Sequence, residues 1–214
     1  MSRVYMYVVD RDFGFAPNPF HGACTLATCK PPIRRGAHLG DWVIGMGGSR
    51  LNATGKCIYA MEVTQTLTFN EYWASPEFRD KRPVRNGSRV MMVGDNIYYR
   101  PGGDGGWQQL DSHHSLSDGS PNPVNVEKDT TADRVLISRN FYYFGSKAQL
   151  VPAEMLAHLG FKNAIGHRVF NAEVCGELMD WITSHRNAAS IVLADPYDFK
   201  KSEKRYTGKG SAIA

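Results

Sequence analysis

VYMYVV, residues 4–9, is a run of β-branched, aromatic and aliphatic residues that ends at the charged segment DRDFGFAPNPFHG, residues 10–22. Such a run predicts a β-strand, and the glycines and prolines after it predict a long loop. DWVIGM, residues 41–46, and CIYAMEV, residues 57–63, have the same strand character, and the turn-forming GGSRLNATG lies between them. Together, these segments predict a curved or barrel-like sheet in the first third of the chain.

Helical patterns accompany the strands. Thr68 and Glu71 have the spacing of a capping box, which predicts a short helix through Tyr72 and Trp73. After residue 150, AEMLAHL and a second segment with apolar residues at helical spacing predict two more helices. We therefore predict an α+β fold: a curved β-sheet or barrel with peripheral helices and a C-terminal helical part.

The chain has 214 residues, of which 42% are hydrophobic, so one substantial domain is possible. We find no internal repeat or linker, and we predict one α+β domain over residues 1–198 and a basic flexible tail over residues 199–214. Four cysteines are too few for a disulfide framework, and no secretory leader pattern opens the chain, which together predict a cytoplasmic protein with reduced thiols. No apolar run approaches the roughly 20 residues of a membrane helix, so we expect no membrane partner. Oligomeric state is left open.

Net charge is +4, a mild excess that fits an anionic partner and also fits many other proteins. Two internal basic clusters, around residues 30–35 and 79–89, are interleaved with aromatic residues and glycines, a pattern that favours contact with phosphates. We therefore expect DNA as the partner, with these side chains on its phosphates: Lys30, Arg34, Lys81 and Arg82.

The loop after the first strand carries the densest set of reactive and aromatic side chains. Aromatic rings stack on a base that has left the helix, and a carboxylate activates water or stabilises a sugar cation. The loop is therefore a candidate base pocket, with Asp12, or Asp10 in its place, as the catalytic carboxylate and with Asn18 and His21 contacting the base. The competing interpretation is that the polar side chains cap turns and the phenylalanines fill the open end of a barrel. The ring candidates from this loop are Phe13, Phe15 and Phe20.

A polar stretch over residues 108–133 offers a second acid/base set around Asp111, His113 and His114. His114 is a further candidate for base contact, although adjacent histidines in a polar loop are also typical of solvated residues. The set His21, Cys24 and Cys29 matches no standard zinc spacing, so no metal is predicted. GMGG lacks the lysine of a phosphate loop and no dinucleotide motif is present, so no cofactor is predicted.

Several strings in this order resemble the second type of nucleotide-modification-associated domain, a prokaryotic and phage family linked to modified DNA bases. They are DFGFAPNPFHG, TLATCKPPIR, GDWVIG, TFNEYW, KRP, GDNIYY, SHHS and VLISRNFYYFG, and they cover about the first two thirds of the chain. The central segment, GDWVIG followed by GKCIYAMEV, is also similar to EVE and related PUA-like domains, which are small β-barrels. That similarity implies a PUA-like barrel and suggests these pocket walls: Trp42, Tyr72, Trp73 and Tyr98. NPFHG, residues 18–22, is similar to the water-activating loop of uracil-DNA glycosylases.

From these features we predict a DNA glycosylase that flips out a modified base, glucosylated or hydroxymethylated cytosine of phage DNA, and hydrolyses its glycosidic bond in antiviral defence. The alternative is a non-enzymatic reader that binds the modified base and recruits a partner enzyme. An enzyme that builds the modification would need a donor-binding motif, which the sequence does not contain.

Overall fold

A computed structural model describes residues 2–205 of the chain. Its strands are β1 (Arg3–Val9), β2 (Cys24–Leu26), β3 (Trp42–Gly47), β4 (Lys56–Glu62), β5 (Gln65–Leu67), β6 (Tyr98–Tyr99), β7 (Gln108–Gln109), β8 (Val135–Ser138), β9 (Phe141–Tyr143), β10 (Gln149–Leu150) and β11 (His167–Asn171). Its helices are α1 (Pro31–Gly36), α2 (Phe69–Ala74), α3 (Arg89–Met92), α4 (Pro123–Thr130), α5 (Ala153–His158) and α6 (Gly176–Ser184), joined by short 3-10 turns.

The main sheet has the strand order β10-β4-β3-β1-β11, with β9 also paired to β4. β1 and β3 run parallel, and the other pairs of this sheet are antiparallel. A smaller antiparallel sheet has the order β2-β8-β5, and β6 and β7 form a separate hairpin. Sheets and helices are thus combined in an α+β arrangement, as the sequence predicts.

The expected PUA-like barrel is not formed. Closure requires the two edge strands of a sheet to pair with each other. Over residues 2–205, β10 pairs only with β4 and β11 only with β1, so the main sheet remains open. β10 has just two residues, which gives it little backbone with which to extend the pairing.

Both faces of the main sheet are buried. Residues alternate along β1, so that Tyr5 and Tyr7 face the small sheet while Val4 and Met6 face α6. A third apolar cluster lies under the loop after β1 and includes Phe13, together with aromatic residues of α2 and β6. This third cluster supports the segments that carry the functional groups described below.

Two segments expected to be exposed are instead part of the packed structure. In the polar stretch, residues 112–115 are buried, and α4 forms from Asn122, whose side chain accepts a hydrogen bond from the N–H of Val124. In the expected tail, Phe199 packs on Phe20, and Arg205 is buried against Asp111 at 2.9 Å. The tail prediction therefore fails up to Arg205, and residues 206–214 lie outside the described residues. No helix within residues 2–205 is long and apolar enough to cross a membrane.

Candidate functional site

A tight turn between β2 and α1 presents a cysteine. Cys29 and Lys30 have φ values of 58° and 40°, in the left-handed region that L-residues rarely occupy, and α1 begins directly afterwards at Pro31. Such residues cost on the order of 1–3 kcal/mol each and cluster at functional sites. Cys29 is also partly exposed, whereas the other three cysteines, Cys24, Cys57 and Cys175, are buried. The turn therefore presents one accessible thiol.

His114 lies between this thiol and a carboxylate. Its Nε2 is 3.5 Å from Sγ of Cys29, and its Nδ1 is 2.7 Å from Oδ2 of Asp129. The two partners come from distant segments, Cys29 from the turn before α1 and Asp129 from the last turn of α4. A thiol, an imidazole and an orienting acid in this order constitute the arrangement of an activated nucleophile.

Asp129 is held in place by several donors. Its Oδ1 accepts the backbone N–H of Cys29 at 2.9 Å, and its Oδ2 accepts the hydroxyl of Tyr98 at 2.9 Å. Gln109 donates to the hydroxyl oxygen of Tyr98 at 3.0 Å and to the carbonyl of His114 at 3.3 Å. The acid and the base of the group are thereby fixed by the same buried network.

Arg34 joins the nucleophile's turn to the end of α4. This fully buried side chain donates to the carbonyl oxygen of Cys29 at 2.9 Å and to that of Asp129 at 2.5 Å. It also donates to the carbonyls of Ala132 and Arg134. A planar guanidinium has several donors in fixed directions, which suits this contact with four carbonyls.

The two adjacent histidines differ in protonation. Burial lowers the pKa of His114, but the charges of Cys29 and Asp129 and its hydrogen bonds outweigh burial and raise the pKa to about 10. Burial tends to raise the pKa of Asp129, yet the nearby His114 charge brings it below the usual value. Burial and the neighbouring His114 lower the pKa of His113 to about 3, and its Nδ1 donates to the carbonyl of Lys204 at 2.6 Å. At neutral pH His114 is thus a cation and His113 a neutral ring.

The thiol and His114 open onto a small pocket of about 150 Å³. A cavity of this size holds one six-membered ring. Phe15 forms one wall and lies 4.8 Å, ring centre to ring centre, from His114. The lining residues are Arg11, Phe13, Phe15, Ala16, Cys29, His113, His114, Asn125 and Lys128. An aromatic wall with cations at its rim suits a planar group attached to an anionic chain.

Cys29, His114 and Asp129 also have the residue types of a metal site, since one ligand atom from each lies within 4.8 Å of the others. However, the two nitrogens of His114 point to different partners, so an ion beside Nε2 and Sγ has the carboxylate behind the imidazole rather than in its own shell. Two protein ligands are fewer than the three or four of ordinary zinc sites. The geometry therefore fits a nucleophile with its base better than it fits a metal centre.

A sequence profile described as nucleotide modification associated domain 2 matches residues 1–203. The chain belongs to this family. The resemblance found in the sequence is thereby confirmed, and it extends beyond the first two thirds of the chain. Membership in the nucleotide modification associated domain 2 family links the protein to modified nucleotides and hence to nucleic acid. No curated protein and no solved structure matches the chain significantly.

Within this family member, the expected catalytic carboxylate Asp12 is buried and already has partners. Its Oδ1 accepts the Tyr143 hydroxyl at 2.5 Å, and its Oδ2 accepts the backbone N–H of Tyr197 at 3.2 Å. Burial raises its pKa to about 6 in spite of these bonds. Asp12 is not among the pocket-lining residues, so its contacts are those of a structural residue that links the loop after β1 to β9.

The other three catalytic candidates do not converge with Asp12. Asp10 is exposed and pairs with Arg50 at 3.4 Å. Asn18 is fully buried and donates to the carbonyl of Val93 at 2.8 Å. His21 is exposed in a turn. Asn18 therefore has no surface from which to contact a base.

Three of the eight expected base-binding residues line the pocket: Phe13, Phe15 and His114. Phe20 stacks on Phe199, and Trp42 on Tyr142. Trp73 stacks on Tyr99 at 4.0 Å. Tyr72 and Tyr98 are buried, their hydroxyls donating to Asp95 and Asp129 respectively. Tyr98 therefore acts on the site through Asp129 rather than through a ligand.

Among the four expected phosphate contacts, Arg34 and Lys81 are fully buried. Lys81 donates to Oδ1 of Asn18 at 2.7 Å and to the carbonyl of Ala23 at 2.9 Å, and burial lowers its pKa to about 8. Arg82 lies over the ring of Trp73 and donates to its carbonyl. Only Lys30 of this set lies beside the thiol. Burial removes Arg34 and Lys81 from the phosphate contacts, because their charges are already matched inside the protein.

The sequence-based assignment overlooked Cys29 and Asp129. Cys29 was considered only as a zinc ligand with His21 and Cys24, but Cys24 lies in the core and His21 in an exposed turn. A usable signal was present in TLATCKPPIR, where a short strand is followed by a cysteine and by a proline suited to the first turn of a helix. Strand, nucleophile and helix in that order are typical of a nucleophile turn.

Proposed function

We propose that this protein is a cysteine-dependent enzyme that acts on nucleotides with a modified base and uses Cys29 as its nucleophile. The observation that carries the proposal is the contact of His114 with both Cys29 and Asp129 at the mouth of an aromatic pocket. A structural cysteine needs neither a protonated imidazole nor a carboxylate behind it. A nucleophile needs both, because they stabilise the thiolate and fix the base.

The reaction class that fits these residue types is acyl transfer, namely hydrolysis of an amide or ester substituent on the base. Sγ of Cys29 attacks the acyl carbon, and the leaving nitrogen or oxygen departs with a proton from Nε2 of His114. Water then attacks the resulting thioester and gives its proton to Nε2, which releases the carboxylic acid and the thiol. Asp129 keeps Nδ1 protonated throughout both steps.

The negative charge that develops on the acyl oxygen needs a donor other than the backbone N–H of Cys29. That N–H is already bonded to Oδ1 of Asp129 at 2.9 Å. Arg11 and Lys128 line the same pocket and carry the positive charge that such an oxygen requires. The proposed site therefore stabilises the intermediate with side chains.

The first test is substrate-independent. Brief treatment of the native protein with iodoacetamide, followed by peptide mass spectrometry, should modify Cys29 and leave the three buried cysteines intact, because the thiolate is the reacting species. His114→Gln should slow this modification at neutral pH, while His158→Gln, a change in α5, should not. Equal rates in all three proteins contradict an activated thiol.

The second test concerns the reaction. DNA strands that each contain one N4-acetylcytosine, hydroxymethylcytosine or glucosylated hydroxymethylcytosine are incubated with the protein, and the nucleosides are analysed by mass spectrometry. We expect loss of the acetyl group with the wild type and none with Cys29→Ser. Binding of a strand without conversion favours the reader of modified bases, the non-enzymatic alternative.

Hydrolysis of the glycosidic bond is the second candidate function, and one observation favours it. Asp10, an exposed carboxylate, lines the groove next to the pocket together with Cys29. A carboxylate there has access to water and to the sugar of a base held in the pocket. Abasic sites that form with Cys29→Ser but not with Asp10→Asn identify this chemistry; abasic sites that form with both variants contradict it.

A further inference from the structure

The pocket at Cys29 is the inner end of a longer groove. A second pocket of about 240 Å³ shares Arg11, Ala16 and Cys29 with it. A third, of about 690 Å³, shares Val8, Asp10 and Lys30 with the second. Because each pocket shares residues with the next, one continuous groove leads from the thiol past Lys30 to the loop at residues 163–166.

The groove is too large for a single base. The inner pocket matches one ring, whereas the outer pocket alone lies within the range of about 300–1,000 Å³ that encloses a complete drug-sized ligand. A free nucleotide whose base is at Cys29 leaves that outer volume unused. A substrate that fills the groove continues beyond the reacting nucleotide.

The charges along the groove indicate an anionic substrate. Arg11 and Lys128 stand at the inner pocket and Lys30 at the junction of all three. Asp10 is the opposing charge in the groove, and it is paired with Arg50 at 3.4 Å. Burial lowers the pKa of Lys30, and the positive charge of Lys128 lowers it further, so these two ammonium groups are close enough to repel. A phosphate between them relieves that repulsion.

The outer end of the groove adds an apolar contact. Ile165 is 100% exposed on the loop that lines the outer pocket. An aliphatic side chain without protein neighbours gains free energy when it covers the face of a base, as apolar wedges do in other nucleic-acid complexes. This places a contact for a neighbouring base at the far end of the groove from Cys29.

We propose that the substrate is a nucleic-acid strand that lies along this groove, with one unstacked base in the inner pocket and its phosphates beside Arg11, Lys30 and Lys128. A base inside a duplex cannot enter the pocket without leaving the stack, so a single strand binds better than the matching duplex. This inference rests on the proposed function for the position of the reacting base, but it concerns binding and does not require turnover.

Binding is measured with Cys29→Ala, which cannot form a covalent intermediate, and with a short fluorescein-labelled DNA single strand by anisotropy. We expect the affinity to fall between roughly 50 and 200 mM salt with a log–log slope of about −2, which corresponds to three phosphate contacts. Lys30→Gln and Lys128→Gln should each reduce the slope by about 0.7. Lys147→Gln, an exposed lysine outside the groove, is the matched control and should leave the slope unchanged.

Deoxycytidine monophosphate is the competitor that separates a strand from a free nucleotide. We expect it to displace the strand only at concentrations at least tenfold higher than an unlabelled strand requires. Equal competition by the monophosphate, or equal slopes in the groove variants and in Lys147→Gln, overturns the strand proposal. Strand binding that meets these expectations in a protein whose Cys29 is unreactive overturns the proposed enzyme alone, so the two failures are distinguishable.

Discussion

Asp129 contacts Cys29 by two routes, one to its backbone and one to its side chain. Oδ1 accepts the backbone N–H of Cys29 at 2.9 Å, and Oδ2 accepts Nδ1 of His114, whose Nε2 faces Sγ of Cys29. One carboxylate thus fixes both the position of the nucleophile's backbone and the orientation of its base. Removal of that carboxylate charge should affect the thiol more than loss of a single hydrogen bond.

Asp129→Asn is the corresponding variant. An amide preserves the shape of the side chain, but its NH₂ group cannot accept a hydrogen bond, so one of the two contacts is lost and Nδ1 of His114 loses its charged acceptor. We expect turnover to fall roughly 10³- to 10⁴-fold, by analogy with hydrolase triads whose acid is amidated, and the iodoacetamide reaction to slow. Asp118→Asn, an exposed change in the same polar stretch, serves as the control. Wild-type reactivity in Asp129→Asn contradicts the assigned role.

The raised pKa of His114 predicts how stability depends on pH. Its pKa is about 10 in the folded protein and 6.5 ordinarily, so the folded state binds the extra proton between these values. The stabilisation is therefore complete below pH 6.5 and is lost as the pH rises through 10. Urea unfolding of the wild type and of His114→Gln at about pH 6 and about pH 10.5 isolates this contribution. The difference in unfolding free energy between them should shrink with rising pH by a few kcal/mol, on the order that linkage gives; a constant difference contradicts the assigned protonation.

Arg34 should be sensitive even to a conservative change. Arg34→Lys keeps the charge but loses the planar set of donors, which leaves buried carbonyls without partners at a cost of about 1–3 kcal/mol each. Circular dichroism in urea should show reduced stability, and the alkylation of Cys29 should change because the turn loses a contact at 2.9 Å. Arg35→Lys is a close control, since Arg35 is exposed and donates to one carbonyl, that of Thr131. Similar results for both arginines count against a positioning role for Arg34.

Lys81 provides a test of what burial does to a predicted DNA contact. Lys81→Met removes a buried ammonium that donates to Asn18 and to the carbonyl of Ala23, so we expect a destabilisation of about 3 kcal/mol. The salt dependence of strand binding should stay at the wild-type value, because this ammonium does not reach the surface. A smaller salt slope in Lys81→Met restores the residue to the phosphate contacts.

Sequence patterns were informative where they reflect local geometry. The alternation in β1 and the capping box at Thr68 depend on neighbours within a few residues, and both are present in the structure. The loop after β1 was also identified as a source of pocket walls, and Phe13 and Phe15 line the pocket. These features follow from period and spacing alone, so one sequence is sufficient to find them.

The nucleophile and its acid were beyond that range. Cys29 and Asp129 lie 100 residues apart, and their contact depends on how α1 meets α4. Arg34 and Lys81 were assigned to phosphates because charged side chains are rarely fully buried. Both violate that tendency, since backbone carbonyls take their hydrogen bonds, and composition carries no record of such partners.

The left-handed turn at Cys29 has a consequence for the newly made chain. A cysteine and a lysine do not adopt positive φ without support, and the supporting groups come from residues 114–134, far along the polypeptide. Until that later segment has been synthesised and has packed, Cys29 is an ordinary thiol with the reactivity of any cysteine in an unfolded chain. The nucleophile is therefore latent during translation, and its reactivity appears together with the tertiary structure.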